Sequence, residues 1–268
     1  MRITALNIYP IKGCRGVAVT SAVVDRLGLV GDRRLMLVDP GNHFISQREV
    51  PALATVIPRL DRGRGTLYVE RANQAPLTIS INPDATSRKV TVWGYTQIDA
   101  ADQGEEAAQW FSTAIGTACR LVAFGTKARN EIDPEYSPRD DAETAFTDGY
   151  PLMAALQESL DNLNGRLAEP VPMQRFRPSV VIVGAKAWSE DDWIAMKLGQ
   201  IDCDAVKPCA RCVVTTTDQL TGARSERQEP LRTLATFRTI PGLGAIFGQN
   251  LVPRDTGTLR VGDVVEVM

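Results

Sequence analysis

The sequence predicts a mainly β protein of the α+β class, an N-terminal β-barrel-like domain followed by a second β-rich domain with a few helices. Three observations predict it. From residue 2 to about residue 100 the chain is a series of short runs of β-branched and apolar residues, punctuated by Gly, Pro, Asn and Asp. One run alternates plainly, with Val90 and Val92 set against Thr91 and Trp93. In the second half the apolar runs are again short and strand-like, and helical spacing is confined to isolated stretches. Strands this close together leave no space for the helical crossovers of a parallel sheet.

In chain order, strands are expected at ITALNIY, VAVTSAVV, RLMLVD, ALATVI, TLYVE, LTISI and KVTVW. Asp102 then reads as an N-cap with Glu105 three residues on. It opens a helix through Ala107, Trp110, Phe111, Ala114 and Ile115 that Gly116 closes. ACRLVAF is a further strand, which completes a first domain over residues 1–125. Residues 126–146 are polar, hold two prolines and show neither periodicity, so a connecting loop is expected there. The second domain is expected over 147–268. It opens with TDGYPLMAALQESLDNLNGRL, where Leu152, Leu156, Leu160, Leu163 and Leu167 form one helical stripe with Asp148 near the cap and Pro151 in the first turn. PSVVIVG reads as a buried strand, DDWIAMKLG and QIDCDAVKP as a hairpin, RCVVTTTD as a strand ending in a turn at Thr221 and Gly222, and TLRVGDVVEVM as the closing alternating segment.

Composition narrows the function classes. With Lys+Arg 30 against Asp+Glu 32, the formal charge of -2 gives no whole-chain field to attract nucleic acid or an anionic membrane. The opening MRITALNIYPIKG has no charged leader before an apolar block, and no apolar run approaches the length of a membrane span, so a cytoplasmic protein is expected. Five cysteines (Cys14, Cys119, Cys203, Cys209, Cys212), an odd and mostly scattered set, point to free thiols rather than a disulfide framework. The single histidine, His43, follows a Pro-Gly-Asn turn and reads as a solvated loop residue, which leaves no imidazole for a triad or a multi-histidine metal site.

The strongest local chemistry is KPCARCVVTTTD, a C-x2-C pair. A thioredoxin-like pair caps a helix, but the β-branched residues that follow favour a strand. Structural zinc needs four ligands, and Cys203, Cys209 and Cys212 supply three, so a carboxylate such as Asp204 would have to complete the set. A single thiolate on a cofactor-borne soft metal is a third use, with Lys207 and Arg211 beside it to favour the ionised form. Burial as small core residues is a fourth. Three basic loops resemble anion cradles: Lys12, Gly13 and Arg15 in YPIKGCRG, Arg33 and Arg34 in GDRR, and Arg175 and Arg177 in RFRP. Arginine outnumbers lysine 24 to 6, and guanidinium binds phosphate and planar heterocycles in fixed geometry.

These blocks, taken in order, carry a resemblance. YPIKGCRG, GDRRLMLVD and SQRE before a proline resemble the N-terminal β-barrel domain that precedes MOSC domains. TDGYPLM, RFRPSVVI, CARCVVTTTD, the Gln-Glu-Pro-Leu stretch, IFGQN and LRVGD resemble the MOSC domain itself. The chain is similar to the group that holds the mitochondrial amidoxime-reducing component and bacterial reductases of N-hydroxylated bases. That resemblance implies a molybdenum cofactor with its pterin, and the family has an association with pyridoxal phosphate binding as well.

By the resemblance Cys212 is the thiolate that ligates molybdenum, with Cys209 the second choice. Lys12, Gly13 and Arg33, then Asp148, Gly149 and Tyr150, then Arg177 and Ser179 hold the pterin and its phosphate, and Ala210 and Arg211 form the turn leading to the metal ligand. Gly13, Gly149, Tyr150, Ser179 and Ala210 stand where relatives often carry Ser, Thr or Asn, so backbone donors would replace side-chain ones there. Bound water or Asp148 is the expected proton source, which makes Cys212 and Asp148 the expected catalytic pair. The implied partners are a small N-hydroxylated substrate and a separate electron donor, either a reductase or an iron-sulfur or flavin protein, because the chain ends at VEVM without an iron-sulfur domain. Neither nucleic acid nor membrane is expected. A cofactor or sulfur carrier without reductase activity is the alternative, and a non-catalytic β-rich interaction protein is a third class.

Overall fold

The computed structural model describes residues 1–61, 63–93 and 96–268. Its first strand, Arg2–Ile8, does not stay with the first half of the chain. A register shift between Ile3 and Ala5 lets Ile3, Leu6 and Ile8 all face inward, and the strand pairs antiparallel with Val180–Val183. Together with Val17–Val19 it completes a nine-stranded sheet otherwise built from the second half. The order runs Val265–Val267, Ala195–Leu198, Ile201–Ala210, Gly244–Pro253, Leu152–Leu156, Val180–Val183, Arg2–Ile8 and Val17–Val19, with Thr239–Ile240 added beside Gly244–Pro253. Only Leu152–Leu156 and Val180–Val183 run parallel within it.

The rest of the first half makes its own strand layers. Leu35–Val38, Arg120–Phe124, Thr96–Asp102 and Ser87–Val92 form a four-stranded sheet, and Ile57–Asp61, Thr66–Arg71 and Gln74–Ser80 a three-stranded one. The helix Glu105–Ile115 buries Ala107, Phe111 and Ala114 against them and ends on left-handed Gly116. A third small sheet joins Ser21–Asp25 to Gly28–Leu29 and to Gly257–Arg260 from the far end of the sequence. The mainly β expectation therefore holds, and residues 126–146 contain no helix or strand.

Four local expectations are corrected. Leu152–Leu156 is a strand, and helix begins only at Gln157, running to Asn164. LMAAL has no polar face in any conformation, so it suits a central strand covered on both sides, whereas Gln157, Glu158, Asp161 and Asn162 supply the polar face a surface helix requires. RCVVTTTD is not a strand: Val213–Thr216 is a single 3-10 turn. Its threonines satisfy the turn themselves, Thr215 Oγ1 donating to the Cys212 carbonyl at 3.0 Å and Thr216 Oγ1 to that of Val213 at 2.7 Å, which overrides the β propensity of the run. ALATVI likewise gives most of its length to the 3-10 segment Pro51–Thr55, started by the preceding proline, whose fixed φ suits the first helical position. Finally, Gly104 and not Asp102 precedes the helix at 105; the Asp102 carboxylate accepts from the Gly104 N–H at 2.9 Å and pairs with Arg88 and Arg120.

Candidate functional site

Where the two halves meet, a cavity of about 590 Å³ opens between loops of the first-half sheets and one end of the large sheet. Every residue that the resemblance marked for cofactor or metal binding lines it: Lys12, Gly13, Arg33, Asp148, Gly149, Tyr150, Arg177, Ser179, Ala210, Arg211, Cys212 and Cys209. The strand-to-loop transitions explain how. Lys12 follows the first strand and is fixed by its N–H donating to the Leu35 carbonyl at 2.8 Å. Asp148 to Tyr150 precede the central strand Leu152–Leu156, so Asp148 sits on a loop and caps no helix. Arg177 and Ser179 enter the strand Val180–Val183, and Cys209 to Cys212 leave Ile201–Ala210.

One end of the cavity is built on partly buried cations. The Arg33 and Arg177 guanidinium groups both rest on the Tyr9 ring, 4.1 and 4.3 Å from its centroid. Arg33 pairs with the buried Asp32 and donates to the Arg177 carbonyl at 3.1 Å; Arg177 donates to Gln219 Oε1 at 3.1 Å. Both residues adopt left-handed backbone, φ 47° and 53°, as does Trp93 at 59°, and each such non-glycine position costs about 1–3 kcal/mol. Strain of that kind persists where the surroundings over-determine a geometry, and here it sets three side chains into one cavity.

Lys12 is 6% exposed and ion-paired with Asp148, whose carboxylate also accepts from the Trp93 indole N–H at 3.3 Å. Burial pulls the Lys12 ammonium below its ordinary value; Asp148 opposes this, and the nearby Arg33 and Arg177 add to it. Burial by itself would raise the Asp148 carboxyl, but Lys12, then Arg33 and Trp93, hold it down to about 2. Its side chain nevertheless stays 76% exposed to the cavity. Burial, with Arg33 alongside, also lowers the Arg177 guanidinium. Asp148 is the sole carboxylate among the described lining residues, which carry seven Lys and Arg side chains, so the cavity has a surplus of positive charge.

The sulfur end is distinct. Cys212 is partly buried and extended, φ -126°, at the start of the 3-10 turn that holds its carbonyl. Burial keeps the Cys209 thiol above its ordinary value. Arg211, between them, points into the protein: it donates to the carbonyls of Phe247 at 3.0 Å and Phe176 at 3.1 Å, beneath the stacked pair Phe176 and Phe247. It fixes the turn and leaves no guanidinium free for a ligand. The other thiols lie apart. Cys203 is fully buried in the core of the large sheet and pushed to about 12 by burial; Cys14 and Cys119 are buried in the first-half core. Among the described residues no cluster of three His, Cys, Asp or Glu side chains could hold an ion, so the three-cysteine zinc arrangement is not assembled.

Several residues marked in the sequence are elsewhere. Arg15 donates to the carbonyls of Ala54, Gln219 and Leu220, and Arg34 pairs with Asp25, so neither joins the cradle. His43 is a loop residue with a side chain 68% exposed. Conversely, Tyr9, Asp32, Gln47, Trp93 and Gln219 shape the site without having been assigned a role. Tyr9, Asp32 and Gln47 lie inside the YPIKGCRG, GDRR and SQRE blocks, which was the available signal; Trp93 and Gln219 had none.

Comparison with known proteins identifies the family. Residues 1–118 match the MOSC N-terminal beta barrel domain and residues 141–266 the MOSC domain. The chain is 33% identical to mitochondrial amidoxime-reducing component 1 of Mus musculus, across 99% of this chain and 82% of that protein. It is 31% identical to mitochondrial amidoxime-reducing component 1 of Homo sapiens over the same shares. Among solved structures, YiiM from Geobacillus stearothermophilus is 15% identical with a TM-score of 0.33, covering 44% of this chain and 54% of that one. With both domains present in order and this similarity running nearly end to end, the chain belongs to the MOSC-domain family that includes the mitochondrial amidoxime-reducing components.

Proposed function

We propose that the chain is a molybdenum-cofactor-dependent reductase of N-hydroxylated compounds, with Cys212 as the protein ligand to the metal. The observation that carries this reading is the pairing, in one cavity, of three clustered cations, Lys12, Arg33 and Arg177, that outnumber their two carboxylates, Asp148 and Asp32, with a cysteine at a separate position. Lys12, Arg33 and Arg177 crowd one another out of water, and an anion such as a pterin phosphate relieves that repulsion through charge-assisted hydrogen bonds. A thiolate suits a soft metal carried by a dithiolene. The residues present therefore fit the cofactor.

Reduction of an N–OH group to N–H takes two electrons and two protons and releases one water. Bound in the cavity, the cofactor would supply the two-electron redox chemistry that such a reduction needs. The chain supplies the rest. Lys12, Arg33 and Arg177 fix the phosphate. Gly13, Gly149, Tyr150, Ser179 and Ala210 offer backbone and hydroxyl edges to the heterocycle. Asp148, kept ionised by Lys12, orients that ammonium and accepts hydrogen bonds from water in the cavity; the protons come from that water and not from a neutral Asp148 carboxyl. Electrons reach the site from a separate reductase, iron-sulfur or flavin protein in this reading.

The test is metal content and turnover. Protein made in a cofactor-competent host is expected to retain stoichiometric molybdenum and, when reduced by dithionite, to convert benzamidoxime to benzamidine. Cys212→Ser is expected to lose at least about 100-fold in turnover, and Cys209→Ser less than about tenfold, as befits a metal ligand against its neighbour. Zinc in place of molybdenum, or a fully active Cys212→Ser protein, overturns the assignment. Molybdenum held without any turnover identifies a carrier instead.

A further inference from the structure

The cavity cations differ in how they are held. Lys12 is bound to Asp148, Arg33 to Asp32, Arg175 to Asp218, Arg177 to Gln219 and Arg211 to main-chain carbonyls. Arg48 and Lys207 also line the cavity, yet among the described residues neither side chain has a hydrogen-bond acceptor or a carboxylate within ion-pair range; Arg48 rests on the Trp93 ring, 4.2 Å from its centroid, on the first-half side, and Lys207 lies on the strand that leads to Cys212. What holds Lys207 is a ring: its ammonium lies 3.6 Å from the centroid of Tyr136, a residue of the connecting loop. A ring face attracts the charge but accepts none of the three N–H bonds, so these remain available to a ligand. Asp133 and Glu135 share the loop with Tyr136, but neither pairs with Lys207.

Position separates Lys207 from the cofactor cradle. It sits on Ile201–Ala210, the strand that delivers Cys209 and leads to Cys212, whereas Lys12 and Arg33 come from the first half and Arg177 from the approach to Val180–Val183. We propose that Lys207 is a specificity residue that binds an oxyanion, carboxylate or phosphate, carried by the N-hydroxylated substrate, so that anionic substrates are preferred to neutral ones of the same shape. The inference rests on the reductase reading and adds the charge class of its substrate. A partly buried ammonium with unspent donors rewards such a group, because a hydrogen bond to a charged partner is worth more than a neutral one.

The experiment compares benzamidoxime with 4-carboxybenzamidoxime on cofactor-loaded protein, dithionite supplying electrons. The carboxylated substrate is expected to have a kcat/KM about tenfold higher, through KM, as one charge-assisted hydrogen bond provides. Lys207→Met abolishes that ratio and Lys207→Arg keeps most of it. Independently of turnover, calorimetry is expected to show 4-carboxybenzamidine binding more tightly than benzamidine to the wild-type protein and equally with it to Lys207→Met. Equal ratios in wild type and Lys207→Met overturn the proposal, as does a Lys207→Met protein that loses molybdenum while keeping the ratio. If neither substrate turns over but the calorimetric preference stands, the reductase reading fails and the oxyanion site does not.

Discussion

Glu190 shows what a single buried group does to this fold. It is fully buried, accepts from Ser159 Oγ at 2.8 Å, and leaves its other carboxylate oxygen without a partner. Burial pushes its carboxyl up to about 7, Ser159 opposing and the adjacent Asp191 adding to the rise while Arg238 offsets it. An acid raised on folding is stabilising below its unfolded value near 4.3, and that contribution is lost as pH climbs through the folded one. The stability of Glu190→Gln relative to wild type is therefore expected to rise by about 2–3 kcal/mol between pH 4.5 and pH 8.5 in denaturant titrations; a difference that stays flat over that range disproves the assignment. Residues were legible in the sequence in proportion to how much of their chemistry is their own. Lys12, Arg33, Arg177 and Cys212 carry a charge or a soft donor in short motifs. Gln219 matters only because it meets Gln47, 172 residues away, and Trp93 only because its indole reaches Asp148. No local pattern encodes such meetings.

Elements were legible wherever their burial had one face. The helix Glu105–Ile115 has a solvent side, and its apolar spacing together with the closing Gly116 located it. Leu152–Leu156 has none: it lies between Gly244–Pro253 and Val180–Val183 with all five residues buried, so leucines spaced for a helix are equally compatible with a covered strand. That central position also constrains its neighbour. Gly248, in the strand beside it, has φ 77°, and a Cβ there would come 2.6 Å from the Ala154 carbonyl oxygen and 3.0 Å from Met153 Sδ. Gly248→Ala is expected to cost about 2–4 kcal/mol, the sum of left-handed backbone strain and a clash that rigid backbone cannot relieve. Thermal or denaturant unfolding measures it. A loss below about 0.5 kcal/mol, the level of an ordinary surface change, would show that the two strands can move apart.

At the scale of the molecule, sequence order and spatial order part company, and the site exists because they do. The first strand surrenders itself to the second half's sheet, Ile3, Leu6 and Ile8 packing with Ile182, Met196 and Leu251, while Ser21–Asp25 is closed by Gly257–Arg260. The chain must then return across the junction, and that return delivers Lys12 and Arg33 to the cavity facing Arg177 and Cys212. Arg224 closes the same junction from the other side, its guanidinium donating to the carbonyls of Gln47 and Arg48. An organisation of this kind makes the two halves one cooperative unit. A chain severed by a protease site placed between Ser137 and Pro138 is accordingly expected to elute from size exclusion as a single species of unchanged size, and to melt in one transition. Its pieces should separate only in denaturant, because parting them would strip Arg2–Ile8 from a buried sheet and expose the apolar faces on both sides. Two folded fragments eluting apart in native buffer would mean that the crossing strand contributes little, and that the cavity is an interface between domains rather than the product of a single core.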